Sequence, residues 1–509
     1  MAESDHDATS APGSYHPREG VLVARSIQRP RYGVTPTAGR STASASNALV
    51  SNYGTLDNVS TTRALPRSMA VAYAIPAVGV TWTQILFTNY IFKFSVDSLG
   101  IAAATVGWIL LATRLWDAVS DPMVGFLTDG TRSAAGRRRP WILGSTLPVA
   151  FTTFFMWNPP RSLEGDALFW WMFVTIALWE TAMTALYVPY VALGSEITME
   201  HHDRTRIAGY RYVLGGLGQA SVIASVFLLT NAESSEARRD VALWLVSVGA
   251  TLSTLLIAGG ILRVRERPEH RERGARRPSR ALRDVLRNRH LLRLVVIYFF
   301  EISGVAAIGL LLPFICEYVI GRAELIAFLL ATFYATSYLS TPLLVRISRR
   351  LGKKHTWMLS MATQALGFLA TMGAGEGGEG WLIACMVVVG LGSTGGHVLG
   401  MSILADTVDF DELHSGERKE ALHYAAINIA RKVSFASLTA LVGVAMEWIG
   451  YVPNANQTPE ALLGLSAMFA GMPAALLLLA IVLLIGFRLT EDEHARIRVE
   501  LDARHREAG

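Results

Sequence analysis

The sequence predicts an all-α membrane protein with twelve transmembrane helices in two six-helix halves. The 509-residue chain is 51% hydrophobic and only 17% charged, with a mean hydropathy of +0.34, whereas about a quarter of the residues of a soluble protein are charged. Its apolar stretches are long enough to cross a bilayer, which takes about 20 helical residues. One stretch contains Arg114, Asp117 and Asp121, spaced so that they share one helical face. A polar stripe inside a spanning helix must face protein, water or an ion.

The twelve apolar stretches set the predicted domain organisation. The first half covers residues 67–262 and the second covers 291–488, joined by a basic cytoplasmic linker over 263–290. Residues 1–66 are rich in Ser, Thr, Ala and Gly without a signal-peptide core, which predicts a disordered cytoplasmic tail. Residues 489–509 alternate in charge, which predicts a short exposed helix in a second cytoplasmic tail. The stretches run approximately over 68–93, 101–127, 140–158, 166–194, 206–230, 240–262, 291–320, 324–346, 355–374, 380–404, 421–449 and 460–487.

The basic residues of the loops predict the orientation in the membrane. With both termini inside, the five inner loops hold 24 Lys and Arg residues and the outer loops hold five, and short cytoplasmic loops are enriched in these residues. We therefore expect a multi-pass protein of the plasma (inner) membrane with both termini cytoplasmic. The linker supplies eleven of the arginines, and no aromatic residue lies among them for base stacking. We expect it to contact anionic lipid of the bilayer, and we expect no nucleic-acid partner.

Two loops at equivalent places repeat a basic, glycine-containing pattern. The loop after the second stretch contains GFLTD followed by GRRR, and the loop after the eighth reads RISRRLGKK, as in the repeated halves of major facilitator carriers. The segments RLWDAVSDPMVGFLTDGTRSAAGRRRPWIL, VPYVALGSEIT, DRTRIAGYR, ADTVDFDE and GYVPN resemble the glycoside-pentoside-hexuronide:cation symporters of the major facilitator superfamily. The resemblance covers residues 68 to 488 approximately. It implies the major facilitator fold and cation-coupled symport by alternating access, usually as a monomer.

The resemblance also implies a cation site. The positions that match the family's ligands are Asp117, Ser120, Asp121 and Thr184. Two carboxylates one turn apart repel each other unless a cation or a proton lies between them, so Na⁺, Li⁺ and H⁺ all stay open as the coupling ion. The alternative is that both aspartates are structural partners of Arg114 and of Lys432, the match to a family lysine in the eleventh stretch. A lone amine at mid-membrane needs an anion, and either aspartate would serve.

The predicted substrate cavity departs from the sugar-binding members of the family. Their carboxylates in the first and fourth spans are replaced near Thr81 and at Tyr187, and a stacking tryptophan is replaced by Val191. Packing is an equal alternative for two of the remaining cavity candidates, Trp82 and Tyr190. Arg431 cannot share the face of Lys432, and we expect it to point towards Glu301 in the seventh stretch. The other candidates are Gln84, Glu180, Arg211, Tyr212, Glu301, His397 and Asn428.

The charged loop after the second stretch is the predicted cytoplasmic gate. Asp129, Arg137, Arg138 and Arg139 lie there, and such charges can hold the two halves together while the carrier faces outward. The alternative is that the arginines only satisfy the enrichment of cytoplasmic loops in basic residues.

Three functions stay open at this stage. The first is secondary active symport of a glycoside or related small polar solute, coupled to Na⁺, Li⁺ or H⁺. The second is sodium-coupled transport of a lysophospholipid-like amphiphile, whose phosphate would need a basic partner such as Lys432 or Arg211. The third is a non-transporting membrane sensor that signals through its long tail. The chain contains no P-loop, nucleophile motif or metal-ligand spacing, and two cysteines give no disulfide framework, so we expect no enzyme, no cofactor and no structural metal.

Overall fold

The computed structural model describes residues 65–198, 200–266, 288–375, 377–417, 419–489 and 491–508. The predicted disordered tail therefore lies outside the described residues except for its last two, Leu65 and Pro66. The predicted lipid contact of the basic linker also falls largely outside them, since residues 267–287 are not described.

All regular elements of the described chain are helical, as the composition predicts. The first half contains seven α-helices: α1 (Arg67–Ala74), α2 (Pro76–Lys93), α3 (Ala103–Gly130), α4 (Arg139–Trp157), α5 (Gly165–Glu196), α6 (His201–Thr230) and α7 (Ser235–Leu262). The second half contains α8 (Arg289–Phe314), α9 (Leu325–Leu351), α10 (Lys353–Ala370), α11 (Glu379–Gly392), α12 (Met401–Ser415), α13 (Glu420–Trp448) and α14 (Pro459–Ile485), and α15 (Glu491–Ala508) follows.

Among the described residues, nine helices or joined helix pairs are long and apolar enough to cross a membrane. The remaining three predicted spans correspond to α3, α4 and α10, which are less apolar. In α3 the charges of Arg114, Asp117 and Asp121 lower the hydropathy, and their contacts inside the protein explain why a spanning helix can hold them.

Two of the predicted spans are interrupted. The first is divided at Ile75 into α1 and α2 and ends in a π-helical turn over Phe94–Ser98. The tenth was predicted as one stretch, yet α11 ends at Gly392 and a π-helical turn over Gly396–Gly400 precedes α12. A Cβ atom at Gly396 would lie 2.1 Å from the Glu301 carboxylate. The glycine-rich sequence here therefore lets the broken helix approach α8 closely.

Helices α3 and α13 bring the two halves together. A Cβ atom at Gly107 would lie 2.9 Å from the backbone of Ala440, and one at Gly443 would lie 2.3 Å from the carbonyl oxygen of Ala103. Small residues permit such close packing of membrane helices. The contact fixes α3, with its polar face, against α13.

The C-terminal segment is helical, as predicted, but it is not freely exposed. Helix α15 buries Ile497 and Leu501, and His494 lies 3.0 Å from Asp409 of α12. Arg504 also donates to the carbonyl oxygen of Leu413 at 2.7 Å. Between the alternating charges, Ile497 and Leu501 form one apolar face, and this face packs against the second half.

Candidate functional site

A cluster of charged side chains lies between α3, α5 and α13. Asp117 and Asp121 project from α3, and the Lys432 ammonium of α13 lies 2.7 Å from the first carboxylate and 2.5 Å from the second. The pairing expected from the sequence is therefore present. Asp117 is only 2% exposed, so its charge interacts with its neighbours at short range and with little screening by solvent.

The two hydroxyl groups of the predicted cation site behave differently. The Thr184 hydroxyl of α5 lies 2.6 Å from Oδ1 of Asp117 and 3.0 Å from Oδ1 of Asp121, so it bridges the carboxylates. Ser120 instead donates to the backbone carbonyl of Asp117 at 3.2 Å. The two aspartates and Thr184 thus converge on one position, and Ser120 lies beside them with its hydrogen directed at the helix backbone.

A further pair enlarges this cluster. The Arg114 guanidinium lies 3.1 Å from the Glu180 carboxylate and 3.7 Å from Asp117, and the rings of Phe87 and Phe435 flank it at 5.1 and 5.5 Å. The prediction that Glu180 lines the substrate cavity did not foresee this contact. The available signal was the spacing of Glu180 and Thr184 on one helix, because residues four apart share a face.

The cluster contains more acidic than basic side chains. Asp117, Asp121 and Glu180 bring three carboxylates, whereas Arg114 and Lys432 bring two cations. With every group ionised, its formal charge is therefore minus one. One additional positive charge, either a proton or a small cation, would neutralise the cluster.

A cavity of about 710 Å³ lies between the two halves beside this cluster. Asn89 of α2 donates to the Tyr334 hydroxyl of α9 at 3.1 Å, and Tyr338 of α9 donates to Gln219 of α6 at 2.7 Å. Hydroxyl, amide and aromatic groups from both halves therefore line one space. Such a lining suits a ligand that has both polar groups and an apolar ring face.

Three of the predicted substrate residues, Tyr212, Glu301 and His397, line this cavity. Trp82 points elsewhere, because its indole donates to Ser225 of α6 at 3.0 Å and packs against Gly249 of α7. This contact corrects its assignment as a substrate residue and supports the packing alternative.

The other predicted residues occupy several environments. Tyr190 is buried and exchanges hydrogen bonds with Tyr73, whose hydroxyl also pairs with Arg211. Thr81 packs against Gly218 of α6. Tyr187, Val191 and Asn428 are exposed and Gln84 is half-buried. For Tyr190 too the contacts fit the packing alternative.

The cavity wall in the second half contains Arg431, His397 and Glu301. Arg431 donates to Nε2 of His397 at 3.0 Å, and a guanidinium has only donors, so His397 is neutral with its proton on Nδ1. Glu301 accepts a hydrogen bond from the Trp357 indole at 2.9 Å. The structure thus pairs Arg431 with His397 and not with Glu301, the partner that the sequence had predicted.

A buried ionic network joins the two halves at the predicted outer end. Lys93 of the first half lies 2.5 Å from Asp97 and 2.5 Å from Glu317 of the second half. Tyr451 also donates to Asp97, at 2.6 Å, and Arg238 lies 3.8 Å from Glu317. Lys93 and Arg238 belong to the five basic residues that the sequence assigns to outer loops, and its pattern did not predict that they pair with these carboxylates. The molecule is therefore closed at its predicted outer end.

The predicted gate residues contact the first half and the beginning of the linker. Asp129 pairs with Arg138, and Arg137 lies 2.6 Å from Glu196. The Glu266 carboxylate accepts hydrogen bonds from the backbone N–H groups of Arg137, Arg138 and Arg139 at 2.6 to 2.9 Å. These contacts hold the loop against its own half and against the first residues of the linker. A clamp between the halves stays a prediction for a conformation open at the outer end.

Two sets of spanning helices around a central cavity that is sealed at one end define a secondary transporter. Residues 72–491 match the family described as MFS/sugar transport protein. The protein belongs to this family and is one of the glycoside-pentoside-hexuronide:cation symporters of the major facilitator superfamily. It is therefore a multi-pass membrane transporter of small molecules and not an enzyme.

Named relatives and a solved structure agree with this assignment. An uncharacterized symporter, YjmB, of Bacillus subtilis (strain 168) is 28% identical, and the alignment covers 87% of this chain and 97% of that protein. A glucuronide carrier protein homolog of Escherichia coli (strain K12) is 24% identical over 85% of this chain and 95% of its own. The crystal structure of a D-xylose-proton symporter shares the fold, with a TM-score of 0.63, 10% identity and coverage of 82% and 97%.

Proposed function

We propose that the protein moves one small cation together with a sugar-type solute, and that Asp117, Asp121 and Thr184 bind the cation. The observation that supports this proposal is the formal charge of minus one in the cluster, which one bound cation would cancel. Ser120 would assist through its oxygen, and Lys432 now occupies the position between the carboxylates. A cation that binds there must weaken the contact of the lysine with the two carboxylates while the lysine stays in the cluster, which makes the ion pair a switch.

The chemistry of the site favours an alkali cation or a proton over a divalent metal. Among the described residues there is no group of three or more His, Cys, Asp or Glu side chains arranged to hold a metal ion. Two carboxylates and a hydroxyl offer hard oxygen ligands, and the formal charge of minus one is balanced by a single monovalent cation. A single proton on one carboxylate would satisfy the same charge count.

Thermal stability of the purified protein tests the cation site without a solute. We expect Na⁺ or Li⁺ to raise the unfolding midpoint, because a ligand of the folded state stabilises it by about 2.7 kcal/mol at 100 times its Kd. The Asp121→Asn variant should lose this response. Asp166→Asn, at an exposed carboxylate in the first turn of α5, is the matched control and should keep it.

The pattern of responses separates the coupling ions. A pH dependence that Asp121→Asn abolishes, without any response to metal ions, would identify a proton as the coupling ion. An unchanged response to Na⁺ and Li⁺ in Asp121→Asn would refute the assignment of the cluster as a cation site.

The cavity also supports a preference for a sugar that has an anionic group. Within the described part of the chain, Arg431 has no carboxylate within 4 Å, and its hydrogen bond to His397 uses one of five N–H donors. A carboxylate on the solute would meet donors suited to bidentate binding. The relative named as a glucuronide carrier homolog agrees with this class of solute. The amphiphile alternative is less well supported, because two aspartates already contact Lys432.

Competition binding with a matched pair of sugars tests the solute class. We expect a phenyl glucuronide to compete better than the phenyl glucoside, which differs only in the carboxylate. Arg431→Gln should remove this preference, by about 10- to 100-fold, since a hydrogen bond to a charged group contributes about 1.5–3 kcal/mol. Arg431→Lys should retain part of it. Equal competition by both sugars in the wild type would refute the proposed preference.

A further inference from the structure

The Glu301 carboxylate lies in an environment that is unusual for an ionised group. It projects from α8 at the cavity wall and is only 4% exposed. One oxygen accepts the hydrogen bond from Trp357. The other, Oε2, is buried and has no hydrogen-bond partner. Both oxygens face the backbone of Gly396 in the π-helical turn, where a side chain would collide with the carboxylate.

Glu301 differs from the carboxylates of the charged cluster in having no counter-charge nearby. Asp117 and Asp121 contact Lys432, and Glu180 contacts Arg114, each within 4 Å. In the part of the chain that the structure describes, no Lys, Arg or His nitrogen lies within 4 Å of the Glu301 carboxylate. An isolated ionised carboxylate in such a place is strongly disfavoured relative to its neutral form.

The titratable and charged groups around Glu301 are few. Tyr298 lies one turn earlier on α8 and donates to the Gly396 carbonyl oxygen at 2.7 Å. His397 belongs to the same turn as Gly396 and is neutral. Arg431 and Tyr424 face this region from α13, and Arg431 is held by His397. The backbone N–H of Gly396 also interacts with the carboxylate, but one neutral donor does not replace a counter-charge. None of the titratable groups supplies a close positive charge to Oε2.

We propose that Glu301 is a proton-binding site in the second half of the transporter, separate from the aspartate cluster of the first half. In the conformation closed at the outer end, the proton is bound to the carboxylate. When the π-helical turn moves, the carboxyl O–H bond breaks, the proton passes to water in the cavity, and Arg431 leaves His397 to compensate the carboxylate. The proton itself is the ligand, because Oε2 has no access to a solute in this conformation.

The geometry explains how the turn would control the proton. Gly396 covers Oε2, and His397, the next residue, holds Arg431 away from the carboxylate. One displacement of the turn would therefore both expose Oε2 and release the guanidinium. Glu301 would then bind either a proton or the Arg431 guanidinium, and a buried group with two such partners can switch a larger conformational change. This site goes beyond the proposed cation coupling, which depends on other residues.

Infrared spectroscopy of the purified protein tests the proposal directly. We expect the wild type to show the carbonyl band of a protonated carboxyl group, and Glu301→Gln to lose that band. Glu301→Asp, which keeps the acid, should retain a shifted band. In Arg431→Gln the band should persist to higher pH, because the positive charge that favours the ionised carboxylate has been removed.

Unfolding equilibria provide the second readout. If the folded protein holds a proton that the unfolded chain has lost at neutral pH, stability falls as pH rises, up to tenfold in the folding equilibrium per pH unit. Glu301→Gln should reduce this dependence and should keep the cooperative unfolding transition of the wild type, which shows that it is folded. Asp121→Asn should keep the infrared band. An unchanged band and an unchanged pH dependence in Glu301→Gln would overturn the proposal and leave the aspartate site untouched.

Discussion

Removal of the Lys93 charge should open the transporter at its predicted outer end. Lys93 contacts Asp97 and Glu317 at 2.5 Å each and is 2% exposed. Loss of one partner of a buried ion pair costs about 3–5 kcal/mol because the remaining charge stays buried. The cost falls on the closed conformation, since water reaches both carboxylates once the end opens. Arg238, at 3.8 Å from Glu317, offsets part of it.

The size of the shift follows from these contacts. Taking the lower end, about 3 kcal/mol, the ratio of open to closed molecules should rise about 100-fold in Lys93→Met. Cys316 is fully buried next to Glu317 and is a native reporter of opening. Labelling of Cys316 by an impermeant maleimide added outside should accelerate by a similar factor, until the open form predominates. Loss of labelling in a Cys316→Ala variant would show that Cys316 is the labelled residue.

Two variants control the interpretation. Arg161→Met removes an exposed ion pair with Glu236 at the same end, and exposed pairs contribute about 0–1 kcal/mol, so its labelling rate should match the wild type. Lys93→Met combined with Asp97→Asn leaves the pair of Arg238 and Glu317 in balance and should return the rate toward the wild type. An unchanged rate in Lys93→Met would refute the role of the network in closure.

Two further predictions concern the contact between α3 and α13. Lys432→Gln should lower the unfolding midpoint in the absence of cations. It should also bind Na⁺ or Li⁺ more tightly than the wild type, because it removes the competitor for the carboxylates. Thermal titration measures both effects, and weaker cation binding would contradict the switch. Gly443→Val should also accelerate labelling of Cys316, because its Cβ would lie 2.3 Å from the Ala103 carbonyl oxygen. Gly471→Val, where a Cβ meets open space, should leave the labelling rate unchanged. Equal labelling rates in the two variants would contradict the role of the contact between α3 and α13.

The architecture could be predicted from local patterns, and the centre of the site from such patterns together with the family resemblance. Apolar length predicts spans, and the spacing of Asp117 and Asp121 predicts a shared face. A buried amine needs an anion, so the sequence also predicted that Lys432 pairs with these aspartates. Each of these inferences follows from a rule that holds within one helix or one membrane, without knowledge of which helices are neighbours.

Other features depend on packing between distant segments. The break between α11 and α12 was missed because glycines are common in membrane helices. The close approach of Gly396 to Glu301, which accompanies the break, joins residues 95 positions apart. Trp82 could equally have faced the cavity or α6, and only the position of Ser225 decides between the two. Apolar periodicity does not specify such neighbours.

Charge balance distinguishes the two ionic networks and their roles. At the predicted outer end, Lys93 and Arg238 face Asp97 and Glu317, so two cations match two carboxylates and the end can close without a ligand. The aspartate cluster has three carboxylates for two cations. With every group ionised it is balanced only by an added positive charge, and that charge must share the two aspartates with Lys432. Because Lys432 is the contribution of α13 to the cluster, binding at this site would alter the contact between the halves while the outer network stays intact.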